Sequence, residues 1–332
     1  MDQRAGRQKF YENPVALMCV LVLAALAVFG VLISRAAHDG QRDPHTKPQP
    51  AAKAVKDPRV VSLVPAATDL LIGMGCGDHL VAVSNYESDP RVAALPRVGD
   101  YQTTDWEKII GLRPKVLITQ YAPDRIPPGF VSRAHAIGAE NTNLQSDTLE
   151  DKTAPGEPRQ SIYGAIEQLG RACNEPTKAA AAEAKLRAQI DAVRRRSAGE
   201  PRVRALIVIG GDGTMVAGKN TYLTELLEAA GGTNAAEQLA ARYPVLDREQ
   251  VLALRPEVVL QLVPNASPQV LEQASRVWKT MPDVPAVKDG RVYQLTEMYV
   301  TLPGYHIGDL AEQFVDALHP KAATQPGAGR VP

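Results

Sequence analysis

Aromatic residues are scarce in this chain: Phe, Trp and Tyr together make up 5% of its 332 residues. Cysteine is scarcer still, with three, and Cys19 sits inside an apolar run. That excludes a small disulfide-stapled scaffold. Cys76 and Cys173 remain and could pair only in an oxidising compartment. An excess of either charge is also missing, since 37 Lys and Arg balance 37 Asp and Glu. Nothing global therefore points to nucleic acid or to an anionic surface. Catalytic signatures are absent as well. Gly210-Gly211-Asp212-Gly213 follows a strand-like run, but it lacks the Lys-Ser/Thr of a P-loop and the spacing of a dinucleotide fingerprint, so it reads as a tight turn. No G-x-S-x-G elbow occurs, and Ser62 and Ser84 have no His and carboxylate placed to activate them. Of the six histidines, His38, His45 and His319 fall in the terminal stretches, and His79, His135 and His306 show no metal-ligand spacing. The chain is read as a protein that is not an enzyme and holds no cofactor or metal of its own.

What is present begins at the N-terminus. After a short tail (1–13), residues 14–34 form an uncharged run, PVALMCVLVLAALAVFGVLIS. A run of about twenty apolar residues reaches across about 30 Å of hydrocarbon. It is read as a transmembrane anchor, with a cleavable signal segment as the rival. Lys and Arg flank it on both sides, so the positive-inside rule sets no orientation. Residues 35–57 are rich in proline and charge and poor in large apolar side chains, which defines a flexible linker. A tail-like stretch, 320–332, closes the chain.

The body between them carries an internal repeat. DWEKIIGLRPKVLITQ (105–120) and DREQVLALRPEVVLQL (247–262) share Asp, Glu, Leu, Arg, Pro and Val in register. Each copy reads as a short amphipathic helix that stops at the Arg-Pro step, because the residue before proline is pushed out of helical geometry. A buried parallel strand follows. Upstream, RVVSL (59–63) leads to a helix over 67–74 and Gly75-Cys76-Gly77, and VRALIVI (203–209) leads to a helix over 222–230 and Gly231-Gly232. The pattern predicts an α/β protein of two Rossmann-like lobes with parallel sheets, 58–160 and 200–319, enclosing a cleft. Between them, residues 161–199 read as connecting helices. One covers 161–172. Asn174 is placed to cap a second, about 175–197, made of good helix formers and closed by Arg194-Arg195-Arg196.

Taken in order, RVVSLVPAATDLLIGMG, LVAVSNY, LPRVGDYQTTDWEKIIGLRPKVLI, the connecting helix, VAGKNTYLTELLEAAGGTN and YPVLDREQVLALRPEVVL resemble the helical-backbone class of periplasmic binding proteins, which includes vitamin B12-binding and ferric-siderophore-binding proteins. The resemblance implies an extracytoplasmic solute-binding protein that hands a metal chelate to the permease and ATPase of an ABC importer. The ligand is expected to be a corrinoid, with a ferric siderophore or haem as alternatives. Any cobalt or iron would arrive inside it. A tethered sensor or scaffold without transport is the rival of another class. By local match to the family, Tyr86, Tyr101, Tyr121, Tyr243 and Tyr299 are the candidate ligand-binding residues; rigid aromatic faces suit a flat chelate. Glu107 and Glu249 match the glutamates that family members present to the transporter. The bland reading of Glu107 is a capping box with Thr104. Arg97, Arg242 and His306 are weaker candidates for the cleft, and Trp106 and Trp278 read as packing residues.

Overall fold

The computed structural model describes residues 55–100, 103–122, 125–151 and 160–320, all within one compact unit. The apolar run 14–34, most of the linker, Tyr101 and nearly all of the C-terminal tail lie outside the described residues. Among those described, no helix is long and apolar enough to cross a membrane.

The first lobe alternates strand and helix: β1 (Val60–Ser62), α1 (Pro65–Gly73), β2 (Leu80–Val83), α2 (Trp106–Leu112), β3 (Val116–Thr119), α3 (Phe130–Ala136) and β4 (Glu140–Asn143). Its sheet is parallel, in the order β2-β1-β3-β4. The connecting helices α4 (Ile162–Ala172) and α5 (Pro176–Ser197) follow. Ser161 caps α4 by accepting the N–H of Gly164. Asn174, expected to cap α5, instead turns left-handed at φ 57°, and Glu175 takes the cap position without a side-chain bond. Asparagine tolerates that conformation better than most residues, and here it reverses the chain between two helices.

The second lobe contains β5 (Val203–Ile209), β6 (Met215–Val216), α6 (Tyr222–Ala229), β7 (Gly232–Asn234), α7 (Arg248–Leu254), β8 (Val258–Leu262), α8 (Pro268–Lys279), α9 (Pro285–Lys288), β9 (Val292–Leu295) and α10 (Ile307–Leu318). Strands β7, β5, β8 and β9 repeat the parallel arrangement of the first lobe. One short strand departs from the parallel order: β6 pairs antiparallel with the end of β5. The Gly210–Gly213 turn is the cause: Gly210 and Gly213 take φ of 92° and 75°, and the chain folds straight back on β5.

The repeat is visible in the backbone. Arg113 and Arg255, at the two Arg-Pro steps, end their helices in the left-handed region at φ 48° and 47°. Proline's ring disfavours continued helix at these positions, and both chains escape the same way. Gly75 and Gly231, just past the first helix of each lobe, also take positive φ.

Successive strand residues face opposite cores. In β5, Ala205 and Ile207 join one cluster, and Leu206 and Val208 join another. The outer face of the first sheet is covered by α2 and α3, and that of the second by α7, α8 and α9. The inner faces do not form separate cores. One cluster runs from α1 through α4 and α5 to α6 and α10. Helix α5 supplies a stripe to it, Ala179, Ala182, Leu186, Ile190 and Val193, at the three- and four-residue spacing of a helix face. Cys76 and Cys173 are buried in the same cluster and are not bonded to each other. Burial pushes the Cys173 thiol up to about 12.

If α5 is welded to both lobes in this way, Leu186→Ala, at a fully buried site, lowers unfolding free energy by about 2–5 kcal/mol. Urea denaturation measures it. A loss under about 1 kcal/mol would show that the helix is only loosely applied.

Candidate ligand cleft

In a parallel α/β sheet, the loops leaving the C-terminal ends of the strands gather on one edge. Here both lobes turn that edge toward the other. Three adjoining cavities lie along it. The first, about 200 Å³, is walled by Leu63, Val64, Tyr86, Thr119, Gln120 and Tyr121. The second, about 460 Å³, shares Gln120 and spans the lobes, with Gln145 and Asp147 on one side and Met215, Tyr243 and Thr301 on the other. The third, about 500 Å³, shares Ile209 and Met215 and extends over the Gly210–Gly211 turn to Val245, Val270 and Gln273. Together they have the size of a site for a large small molecule.

The cleft also concentrates exposed apolar surface. Seven large hydrophobic side chains are exposed among the described residues, and five of them, Tyr86, Met215, Tyr243, Val245 and Val270, line these cavities. Clustered apolar exposure marks a binding surface, whereas scattered exposure does not. A larger cavity of about 780 Å³ lies elsewhere, where the end of α5 meets α6. It is walled by charged side chains such as Arg194, Glu200, Arg202 and Glu228 and holds no aromatic. Such a lining is a solvated groove, and the aromatic cleft is the better ligand site despite its smaller compartments.

The sequence-predicted tyrosines divide. Tyr86 (58% exposed) and Tyr121 (6%) meet in the first cavity. Tyr121 is held firmly: its ring packs edge-on against Phe130 with centroids 5.7 Å apart, and its backbone N–H and C=O both bond to the Asn143 side chain. Tyr243 faces them from the second lobe. Tyr299 lines none of the three cavities; its ring stacks on His306 at 4.8 Å and its hydroxyl accepts from Gln313 at 3.0 Å. Trp278 is buried, donating to Gln261 at 3.0 Å, and Trp106 packs on Phe130.

The weaker cationic candidates are all engaged within the protein. Arg242 crosses the lobes to Asp147 at 2.8 Å and donates to the Asn220 carbonyl. Arg97 donates to the Glu87 carbonyl at 3.2 Å. His306 meets Asp69 at 2.9 Å. Among the described residues, no Lys, Arg or His lines the three cavities. Sequence reasoning missed the amides and the Met215–Val245 strip. Glutamine is ordinary on any surface, and a Met-Val pair after a glycine turn does not say which way its side chains face. Among the described residues no group of three or more His, Cys, Asp or Glu is placed to hold a metal ion.

Glu107 and Glu249 stand in the first turns of α2 and α7, one on each lobe, exposed. Both helices follow a strand and so begin at the cleft edge. The Thr104–Glu107 capping box, the alternative reading of Glu107, is not formed. Asp105 takes the cap instead, accepting from the N–H of Lys108 at 3.1 Å, and Asp247 forms a true capping box with Gln250. Asp105 is one residue nearer the helix, and from the cap position its carboxylate reaches the third N–H. Neither glutamate is needed as the cap.

A two-lobed binding protein with a helical connector and an interlobe ligand cleft is the class these features define. The sequence profile of the periplasmic binding protein family matches residues 60–299, and the chain belongs to that family. Among curated relatives, the vitamin B12-binding protein of Vibrio parahaemolyticus is 29% identical over 247 residues, covering 74% of this chain and 83% of that one. The vitamin B12-binding protein of Vibrio cholerae is 26% identical over 269 residues, covering 80% and 91%. Among solved structures, the periplasmic vitamin B12 binding protein of Vibrio cholerae aligns with a TM-score of 0.63 at 26% identity, covering 81% of this chain and 98% of that one. A periplasmic heme binding protein from Pseudomonas aeruginosa shares the fold with a TM-score of 0.65 at 24% identity, covering 82% and 97%.

The hydrogen bond to Asp69 raises the His306 pKa above its ordinary value against the opposing effect of burial, with Asp69 and Asp309 charges adding to the rise and Arg91 opposing it. A folded-state value above the unfolded one means that protonated His306 stabilises the fold. That contribution is complete below about pH 6.5 and is lost as pH rises through the folded value. The difference in urea midpoint between the native protein and His306→Asn should therefore be larger at about pH 6 than at about pH 8. An equal difference at both would show that His306 does not change charge there.

Proposed function

We propose that the chain captures a corrinoid between its lobes and delivers it to the permease of an ABC importer, with the apolar run 14–34 tethering the body to the membrane on its extracytoplasmic side. The observation that carries the choice of ligand is the character of the cleft wall. Among the described residues it combines Tyr86, Tyr121 and Tyr243 with Gln120, Gln145 and Gln273, and none of them is cationic. A corrinoid is a broad ring edged with neutral carboxamides, which suits aromatic faces and amide partners. Haem, with its carboxylates, and anionic ferric siderophores call for Arg or Lys opposite their charge. The relatives named for vitamin B12 support the same reading. The protein's part is capture and release; any cobalt belongs to the ligand.

Delivery would proceed through Glu107 and Glu249, exposed carboxylates at matching positions on the two lobes. Paired charges of this kind set register and encounter rate more than affinity. With α5 welded to both lobes, closure on the ligand is small, and the transporter supplies the force that opens the cleft.

Calorimetric titration of the full chain with cyanocobalamin should give one-to-one binding with Kd below about 1 µM. Tyr121→Ala or Tyr243→Ala should weaken it about ten- to a hundredfold. Binding of haemin or a ferric siderophore in preference to cyanocobalamin would overturn the corrinoid reading and leave the cleft standing. Reversing both docking charges, Glu107→Arg with Glu249→Arg, should abolish cellular cobalamin uptake with Kd unchanged. Loss of binding in that variant would overturn the docking role. Uptake unaffected by removal of the protein would favour a sensor.

A further inference from the structure

The first helix of each lobe carries the same four-residue pattern: Thr68-Asp69-Leu70-Leu71 on α1 and Thr224-Glu225-Leu226-Leu227 on α6. Three of the four positions serve the helix itself. The threonine hydroxyls donate to the preceding backbone, Thr68 to Val64 at 3.3 Å and Thr224 to Gly218 at 2.7 Å. Both leucine pairs are buried in the shared core. The acid in each copy reaches into the other lobe. Asp69, 2% exposed, accepts the backbone N–H of Tyr305 at 2.7 Å and pairs with His306 at 2.9 Å, on the loop from β9 to α10, while Arg91 of its own lobe approaches it at 3.4 Å. Glu225 accepts the backbone N–H of Leu149 at 2.5 Å and that of Glu150 at 3.3 Å, on the segment leaving β4. The two contacts are reciprocal: each lobe's first helix holds the chain as it leaves the last strand of the other.

The fit at Asp69 is close. A side chain at Gly304 would place its Cβ 2.3 Å from the Asp69 carboxylate, so that only glycine lets the loop approach. The held segments also carry opposite parts of the cleft wall. Thr301 and Pro303 stand on one, Gln145 and Asp147 on the other, and all four line the 460 Å³ cavity.

We propose that Asp69 and Glu225 are a matched pair of positioning residues, each pinning the crossing segment of the opposite lobe and so setting the spacing of the cleft walls. A carboxylate suits the task because it accepts strongly from several donors at once. Backbone donors suit it because, unlike a long cationic side chain, they bring no rotamer freedom to lose. Naming those walls as ligand contacts rests on the proposed function; the pinning itself needs no ligand.

The test is amide hydrogen exchange, read by NMR on the full chain without ligand, and separately the dissociation rate of cyanocobalamin. Asp69→Ala should speed exchange at Tyr305 at least about tenfold and leave Leu149 within about twofold, and Glu225→Ala should do the reverse. Asp69→Asn and Glu225→Gln keep an acceptor oxygen and should fall between; they also serve if the alanine variants do not fold. Cyanocobalamin should leave each variant faster than the native protein. Unchanged exchange at these amides would overturn the proposal, and so would an equal rise at every protected amide, which signals only lost global stability. Local exchange changes in a protein that binds no cyanocobalamin would uphold the pinning and overturn the corrinoid reading instead.

Discussion

A single apolar core that passes through the connecting helix governs this molecule. Residues of α5 at helical spacing bury themselves against α4 on one side and against α6 and α10 on the other, so the inner faces of both sheets share one dry interior. Opening the lobes by a wide angle would expose part of that interior to water, at about 25 cal/mol for each Å² uncovered. Two lobes tied by extended strands at a hinge face no such cost. The connector also ties itself down by polar contacts, with Gln189 bonded to Asp309 and Arg196 to Asp316 on α10. Rigid lobes held at a set spacing are what a cleft needs if it is to present a preformed wall to a broad ligand.

The cleft is the exception that such a core permits. Tyr86, Met215, Tyr243, Val245 and Val270 leave apolar surface in water, a local arrangement that weakens the folded state and is tolerated because stability resides in the layers behind it. The second lobe departs from the repeat just here. The turn Gly210–Gly213 and the short antiparallel β6 have no counterpart in the first lobe's described residues, and they bring Met215 beside Val245 across the ladder. A doubled architecture thus became a two-sided site with unlike walls, aromatic and amide on one side, more aliphatic on the other.

Much of the fold was legible because it rests on local rules. The Arg-Pro steps, the glycines past the helix ends and the β-branched strands each follow from backbone sterics, and they recur in both halves. A misreading occurred where two local solutions compete. Asn174 can cap a helix or reverse a chain, and its left-handed backbone here settles on reversal. The candidate site was legible in part. Tyr86, Tyr121 and Tyr243 face one cleft, whereas Tyr299 turns inward to His306. A strand-end position places a residue at the cleft edge without giving its direction. The amides at Gln120 and Gln145 carried no sequence signal at all, because glutamine is ordinary on any surface.

By itself, then, the sequence determined the class of this protein: a repeat of strand, helix and glycine, a long connector, balanced charge and no catalytic signature, all set by interactions within a few residues of one another. Tertiary structure alone decided that the connector joins one continuous core, that arginines near the cleft are spent on protein partners, and that Asp69 and Glu225 reach across to the opposite lobes. Those outcomes depend on pairs far apart in the chain, Asp69 with Tyr305 and Leu149 with Glu225. No local pattern encodes such pairs, since the donor in each is a backbone N–H that every residue except proline carries.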